Sequence, residues 1–367
     1  MKLKSYIIEK ESYSTMKSVI FRYVPDRSIY TVTTDQIQPF IKKNTQGTMK
    51  ALTFSQFGDA DVLEYRDVAD PALKPNEVLL EMKAIGLNFA DIYRRKGDYH
   101  LKGVPPYIAG YEGAGIVKES TSPTFQPDDR VAFTDVPFAH AELVAVPEAH
   151  AIPLPEDISF ETAAAVLIQG LTAHYLTTDS HTTRRGETAL VHAAAGGVGQ
   201  MLVQIATLQG ARVLGLVSTP EKRTVALAAG ASDVFLYSED WVARAKQATD
   251  GRGVDVVYES VGSTLMESFS ATRDCGQVVF YGFSGGNPPL IDPRFLMDSS
   301  KTLTGGDLWG YLVSHEERIK RSNSLFQWIR EGTLRLAPPT TFALADGKSA
   351  HEFLESRKST GKIVFLP

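Results

Sequence analysis

Leu190-Val191-His192-Ala193-Ala194-Ala195-Gly196-Gly197-Val198-Gly199, running straight on into Gln200-Met201-Leu202-Val203-Gln204-Ile205-Ala206, decides the fold. An apolar run ends in a glycine-rich turn and passes directly into a helical pattern. That order presents backbone N–H groups and a helix N-terminus to a pyrophosphate. The turn reads Ala194-x-Gly196-x-x-Gly199, a dinucleotide fingerprint with Ala in place of the first glycine. Such a turn alone is common, and its surroundings give it meaning.

Downstream and upstream of it the chain alternates regularly. A helix through Ala163–Tyr175 leads into strands at Thr188–His192, Arg212–Val217, Val234–Leu236, Val254–Tyr258 and Gln277–Tyr281. Helical stretches at Gln200–Leu208, Glu221–Ala229 and Trp241–Ala248 separate them. Strand–helix alternation of this kind predicts a parallel, doubly wound sheet. From Met49 to about Gln169 the pattern changes to short β-like runs divided by Gly and Pro, which predicts a compact and mostly antiparallel barrel-like domain. The tail, with a helix at Glu316–Arg330 and a strand at Lys362–Phe365, is expected to return to that first domain.

The 367 residues suffice for two cores, and 43% hydrophobic with 22% charged residues is ordinary globular composition. A net charge of −5, without a basic stripe interleaved with aromatics, argues against a nucleic-acid surface. No apolar run approaches the ~20 residues that span a bilayer. Cys275 is the single cysteine, which excludes an intramolecular disulfide and a thiolate-built zinc cage. Residues 1–48 carry eight Lys/Arg against four Asp/Glu, unlike the acidic remainder. They lack the apolar segment of a secretory signal, and Glu9, Glu11, Asp26 and Asp35 are foreign to a mitochondrial presequence. They are treated as an extension of unknown role, and a cytoplasmic location is expected.

The end of the second strand discriminates between dinucleotides. An acid there accepts the adenosine ribose hydroxyls and repels a 2′-phosphate. Here Arg212–Val217 is followed by Ser218-Thr219-Pro220-Glu221-Lys222-Arg223, two hydroxyls and two cations around a helix start. Such a site suits a phosphate dianion, so NADPH is expected over NADH.

Several segments together resemble the zinc-free medium-chain dehydrogenase/reductase superfamily, in its quinone oxidoreductase (zeta-crystallin-like) branch. They are Lys83–Tyr93, Gly110-Tyr111-Glu112-Gly113-Ala114-Gly115, Asp129-Arg130-Val131, Gln169-Gly170-Leu171-Thr172-Ala173, the His192–Gly199 turn, Val256–Gly262, and Leu354–Arg357 with Gly361–Val364. The likeness runs in order through residues 49–367. It implies an α/β protein with a GroES-like β-rich substrate domain (49–168 and 309–367), an inserted Rossmann NADP(H)-binding domain (169–308), and pairing into homodimers. Zinc-dependent members place a Cys where this chain has Asn88-Phe89-Ala90-Asp91 and a His where it has Tyr111, so no metal is expected.

By the same resemblance, the cofactor contacts are Asn88, Tyr93, Thr172, Tyr175, Gly196, Gly197, Val198, Ser218, Lys222, Tyr237, Ser260, Phe283, Ser284 and Arg357. Asn88 and Tyr93 would lie beside the nicotinamide, Tyr237 toward the adenine, and Tyr99 in the acceptor pocket. Asn88 and Tyr99 are the candidate catalytic residues. Gly305-Gly306-Asp307-Leu308-Trp309 departs from a more basic family segment. Asp91, His192 and Cys275 are read as structural, Cys275 through packing.

Loss of the metal has a chemical consequence. Hydride addition to a plain ketone builds a localised alkoxide, which a Lewis acid stabilises. A quinone or α,β-unsaturated carbonyl spreads the charge and needs only hydrogen-bond donors. The expected activity is therefore NADPH-dependent, metal-independent reduction of a small quinone or enone. Two alternatives stand beside it: a 2-enoyl-thioester reductase with Tyr99 as proton donor, and a non-catalytic NADPH-binding protein of structural or RNA-associated function.

Overall fold

The computed structural model describes residues 18–22, 29–33 and 47–367. The extension expected at 1–48 lies largely outside them. Its described part is a pair of antiparallel strands, β1 (Ser18–Arg22) and β2 (Ile29–Thr33), with Ser18 opposite Thr33.

The β-rich half begins with β3 (Thr48–Phe54), β4 (Glu64–Ala69) and β5 (Glu77–Leu87). A short helix, α1 (Phe89–Lys96), follows at once. The Asn88 side chain and the Asp91 carboxylate form a reciprocal capping box at its start, and Gly97 closes it at φ +85. Then come β6 (Tyr107–Ile108), β7 (Glu112–Ser120), β8 (Arg130–Thr134), β9 (Leu143–Pro147) and β10 (Ala151–Pro153). Alternate side chains of these strands, including Phe54, Leu80, Phe133 and Val146, bury a common core.

Helix α2 (Phe160–Tyr175), capped by Ser159 on the Thr162 N–H, carries the chain into the second half. There β11 (Thr188–Val191), α3 (Gly197–Leu208), β12 (Arg212–Val217), α4 (Pro220–Ala228), β13 (Asp233–Leu236), α5 (Trp241–Gln247), β14 (Val254–Glu259), α6 (Leu265–Ala271), β15 (Thr272–Phe280), α7 (Pro293–Ser299) and β16 (Thr302–Gly305) alternate. The strands form a parallel sheet in the order β13-β12-β11-β14-β15-β16. This is the doubly wound order with its switch point beside β11. Both faces are covered, as a parallel sheet requires. Val191, Val213 and Val256 enter one apolar cluster while Leu190, Leu214 and Val257 enter the other.

After α8 (His315–Arg330) the chain goes back to the first sheet through β17 (Thr340–Ala343), α9 (Gly347–Glu355) and β18 (Ile363–Leu366). Strand β18 runs antiparallel to β5, with Ile363 opposite Leu87. That register delivers Lys362 to Asn88, where both are buried. One sequence expectation changes: Cys275 lies inside β15 at φ +56 and is exposed, so it packs nothing. The sheet is mostly antiparallel, as expected, with β17–β18 as a parallel pair.

Candidate active site

The glycine turn is set from below. Ala193 adopts φ +47, a left-handed conformation that costs a β-carbon-bearing residue about 1–2 kcal/mol. Its N–H donates to the Tyr237 hydroxyl at 3.0 Å, and its carbonyl accepts from the Gly196 N–H at 2.7 Å. Tyr237 lies 3.2 Å from His192 Nδ1, while His192 Nε2 meets Ser268 Oγ at 2.9 Å and Glu259 Oε2 at 3.3 Å. Glu259 also accepts from the N–H groups of Val261 and Gly262. Burial lowers the His192 pKa, against the pull of the Glu259 charge. Burial would raise Glu259, but His192, Ser268 and the two N–H groups outweigh it and hold the carboxyl below its ordinary value. Tyr237, expected on the adenine side, has its hydroxyl held under the turn by the strained Ala193 N–H, while the residue as a whole is half-buried.

Above this base, no side chain caps α3 at Gly196, which leaves the helix N-terminus open for an anion. Two glycines are required sterically. A β-carbon at Gly197 would sit 2.1 Å from Gln169 Oε1, and one at Gly199 would sit 2.2 Å from the Ala193 carbonyl. Gln169 is buried on α2, and its Oε1 has no hydrogen-bond partner among the described residues. A buried orphan acceptor beside an open helix N-terminus fits a bound polar group. Thr172, three residues along α2, is also buried, and Val198 is half-buried in the first turn of α3.

Past β12, Thr219 caps α4 and Ser218 is exposed beside it. Lys222 reaches out to the Arg357 carbonyl, with Nζ at 2.5 Å. Arg357, at φ +58, in turn donates to the Ser284 carbonyl at 2.9 Å. Neither cation pairs with a carboxylate among the described residues. Burial and then the Arg357 charge lower the Lys222 pKa. Two neighbouring cations without a carboxylate partner among the described residues are chemically suited to an anion.

The Arg357 side of this site opens on a cleft of about 290 Å³, also lined by Tyr93, Phe283, Ser284, Lys96 and Asn287. Tyr93 and Phe283 stack with centroids 4.1 Å apart, and the Tyr93 hydroxyl accepts from the Phe283 N–H at 3.3 Å. Burial pushes the Tyr93 phenol up to about 12. Ser260 supports this wall through its carbonyl, which accepts from the N–H and the hydroxyl of Ser284.

Asn88 is drawn into a buried charge cluster. Its amide donates to Glu112 Oε2 at 2.9 Å, and its oxygen accepts from Lys362 Nζ at 2.8 Å. Lys362 also pairs with Glu112 Oε2 at 2.5 Å, and Glu112 Oε1 accepts from the Ile168 N–H at 2.5 Å. With its oxygen occupied, Asn88 acts as a spacer of fixed orientation and not as a free polar group. An ammonium thus lies against the residue that replaces the expected metal-ligand cysteine. Among the described residues no group of three or more His, Cys, Asp or Glu is placed to hold a metal.

Tyr99 is held by a second carboxylate. Its hydroxyl donates to Asp307 Oδ2 at 2.8 Å, and its ring lies over the Arg94 guanidinium, 5.0 Å from the centroid. Burial, then the Asp307 contact, raises its pKa above the ordinary phenol value. The proton that an acceptor would need is therefore committed to a carboxylate. Tyr175 is not brought to the cleft surface: it is 1% exposed, stacked on Tyr311 at 4.3 Å and pressed against Gly306. Its ring fills the core beneath the chain that leaves β16. Asp307, Gln169, Glu112 and Lys362 were not among the expected site residues. Asp307 stood out as an acid in a segment where the family is more basic, and the other three lie within the segments that carry the resemblance.

Comparisons with known proteins agree with this geometry. The family model for the alcohol dehydrogenase GroES-like domain matches residues 74–183, and that for zinc-binding dehydrogenases matches 197–324. A quinone oxidoreductase of Pseudomonas aeruginosa is 39% identical over 324 residues, 87% of this chain and 99% of that protein. A 2-haloacrylate reductase of a Burkholderia species is 33% identical over 321 residues, covering 84% of this chain and 96% of that protein. The crystal structure of Escherichia coli quinone oxidoreductase complexed with NADPH superposes with a TM-score of 0.83 at 35% identity, covering 87% of this chain and 100% of that one.

Proposed function

We infer the function from kinship: this chain belongs to the medium-chain dehydrogenase/reductase superfamily, in the quinone oxidoreductase branch. It is an NADPH-dependent oxidoreductase. The acceptor that fits best is a small conjugated carbonyl, a quinone before an enone, reduced without a metal. When bound, the reduced nicotinamide supplies a hydride from its C4.

The observation that carries the cofactor assignment is the pair of cations, Lys222 and Arg357, that have no carboxylate partner among the described residues, beyond an uncapped α3 N-terminus. In this reading they hold the 2′-phosphate, with Ser218 beside them. The N–H groups of Gly197 and Val198 take the pyrophosphate, over Gly196 and the Tyr237 clamp. Gln169 and Thr172 offer polar atoms on the nicotinamide side. Tyr93, Phe283, Ser284 and Ser260 wall it, and Tyr175 backs that wall from the core. Asn88 sets the depth of the ring and Tyr99 bounds the acceptor.

Residues 49–168 with 309–367 then serve as the acceptor-side domain and 169–308 as the cofactor domain, and two chains form the working dimer. Metal independence is supported by the donor set, since Asn88 and Tyr111 are poor zinc ligands and Lys362 already neutralises Glu112. The quinone reading is favoured over enoyl-thioester reduction because the Tyr99 proton is held by Asp307. A relative that reduces a 2-haloacrylate keeps conjugated acids within the substrate range to be assayed. The test is a steady-state survey with NADPH against quinones, enones and an enoyl thioester. Fastest turnover with quinones is expected, and no turnover with any of them would overturn the assignment.

A further inference from the structure

We propose that Asp307 selects the acceptor: by taking the hydroxyl proton of Tyr99 it withholds that proton from the reduced acceptor, and so favours quinones over enones and enoyl thioesters. The proposal rests on the reading above that Tyr99 bounds the acceptor site.

A phenol has one proton to give. Here it is directed at Asp307 Oδ2, 2.8 Å away across 208 residues of sequence. The carboxylate is exposed, and both of its oxygens are engaged. Its other oxygen accepts the Trp309 N–H at 3.3 Å, as the cap of the short 3-10 turn Leu308–Gly310. Nor is the ring free to swing, since Arg94 lies on it and His100 packs against it at 3.9 Å between centroids. Among the described residues Asp307 has no ion-pair partner. The nearby guanidiniums are engaged, Arg94 with Asp91 at 3.3 Å and Arg318 with Asp135 at 3.2 Å. An acceptor oxygen beside Tyr99 thus meets lone pairs and a carboxylate without a salt-bridge partner, screened in part by solvent, instead of an O–H donor.

The chemistry separates acceptors on this basis. Each acceptor gains a hydride, two electrons with one hydrogen nucleus, from NADPH, which leaves as NADP⁺. The resulting oxyanion then takes one proton. In a hydroquinone anion the charge is spread over the ring and its basicity is low, so water serves as the proton source. An enolate is far more basic and gains most from a donor in place as its charge develops. An acceptor that carries its own carboxylate or phosphates is further disfavoured by the Asp307 charge.

Asp307→Asn tests this with little change of shape. Its oxygen can keep the Trp309 N–H, which turns the amide NH₂ toward Tyr99 as a donor. The Tyr99 proton is then released toward the acceptor. The expected result is a rise of about tenfold in the enone-to-quinone ratio of kcat/KM, the scale of one charge-assisted hydrogen bond. A second readout needs no turnover: 4-nitrophenolate, a stable oxyanion, should bind the NADP⁺-loaded variant about tenfold more tightly than the parent protein. Both gains should vanish in Asp307→Asn/Tyr99→Phe, and NADPH affinity serves as the check of folding. The proposal is overturned if the single variant binds NADPH normally yet keeps the parental acceptor ratio and nitrophenolate affinity. It is equally overturned if the gains survive loss of the Tyr99 hydroxyl. If no variant reduces a quinone, the parent reading falls, and the nitrophenolate arm still judges Asp307.

Discussion

Replacing Lys222 by Met keeps the aliphatic stem and removes one of the two cations that meet beyond β12. Its Nζ lies 2.5 Å from the Arg357 carbonyl, and neither residue has a carboxylate partner among the described residues. A charge-assisted hydrogen bond to phosphate contributes about 1.5–3 kcal/mol. Arg357 is exposed and Lys222 half-buried, so solvent screening places the effect at the lower end. The expected loss is about 1.5 kcal/mol, roughly a tenfold rise in the Kd for NADPH. NADH lacks the 2′-phosphate, so its Kd should move by less than about twofold, on the same electrostatic argument. Fluorescence titration of both nucleotides at low and high salt is the assay. Salt should weaken NADPH binding to the parent protein more than to the variant. Equal losses for the two nucleotides, or a salt dependence unchanged by the substitution, would refute the assignment of Lys222 to the phosphate.

Three further outcomes follow from the buried polar groups. Tyr237→Phe leaves the Ala193 N–H without an acceptor, which should cost about 1–3 kcal/mol of stability in denaturant titrations and weaken NADPH binding; wild-type values for both would remove the clamp. Lys362→Met strands the Glu112 carboxylate and should destabilise the fold by about 3–5 kcal/mol, while adding Glu112→Gln should recover much of that loss. Additive losses in that double variant would contradict the pairing. His351 and His140 are both fully buried, and burial lowers both pKa values below the unfolded value, so the unfolded chain binds protons first. Stability is then complete above the unfolded histidine pKa and falls as pH drops below about 6.5, by up to about 1.4 kcal/mol per pH unit for each histidine. His351→Leu should flatten that decline when melting temperature is followed against pH, and an unchanged slope would refute it.

The sequence is most legible where one local rule decides. The strand, turn and helix at Thr188–Leu208 are written in period, glycine placement and length, and the structure differs in ending the strand at Val191 and starting the helix at Gly197. The edge strand Thr302–Gly305 and strand Thr340–Ala343 were not readable. Both are short, polar and half-exposed, and only their neighbours make them strands. The site divides in the same way. Backbone-built parts, the glycine turn and the α4 start, follow from local residue types. The Asn88–Glu112–Lys362 cluster joins positions up to 274 residues apart, and nothing in the local pattern brings them together. Tyr99 shows the limit most sharply. Residue type predicted a donor, while the partner that takes its proton comes from the opposite end of the cofactor domain.

The most direct measurement of the central claim is NADPH oxidation by the full chain with 1,4-naphthoquinone, with and without a strong metal chelator. The account predicts one NADPH consumed per quinone reduced, much slower turnover with NADH, and no loss of rate in the chelator. Absence of turnover with NADPH, or its disappearance on chelation and return with zinc, would contradict it.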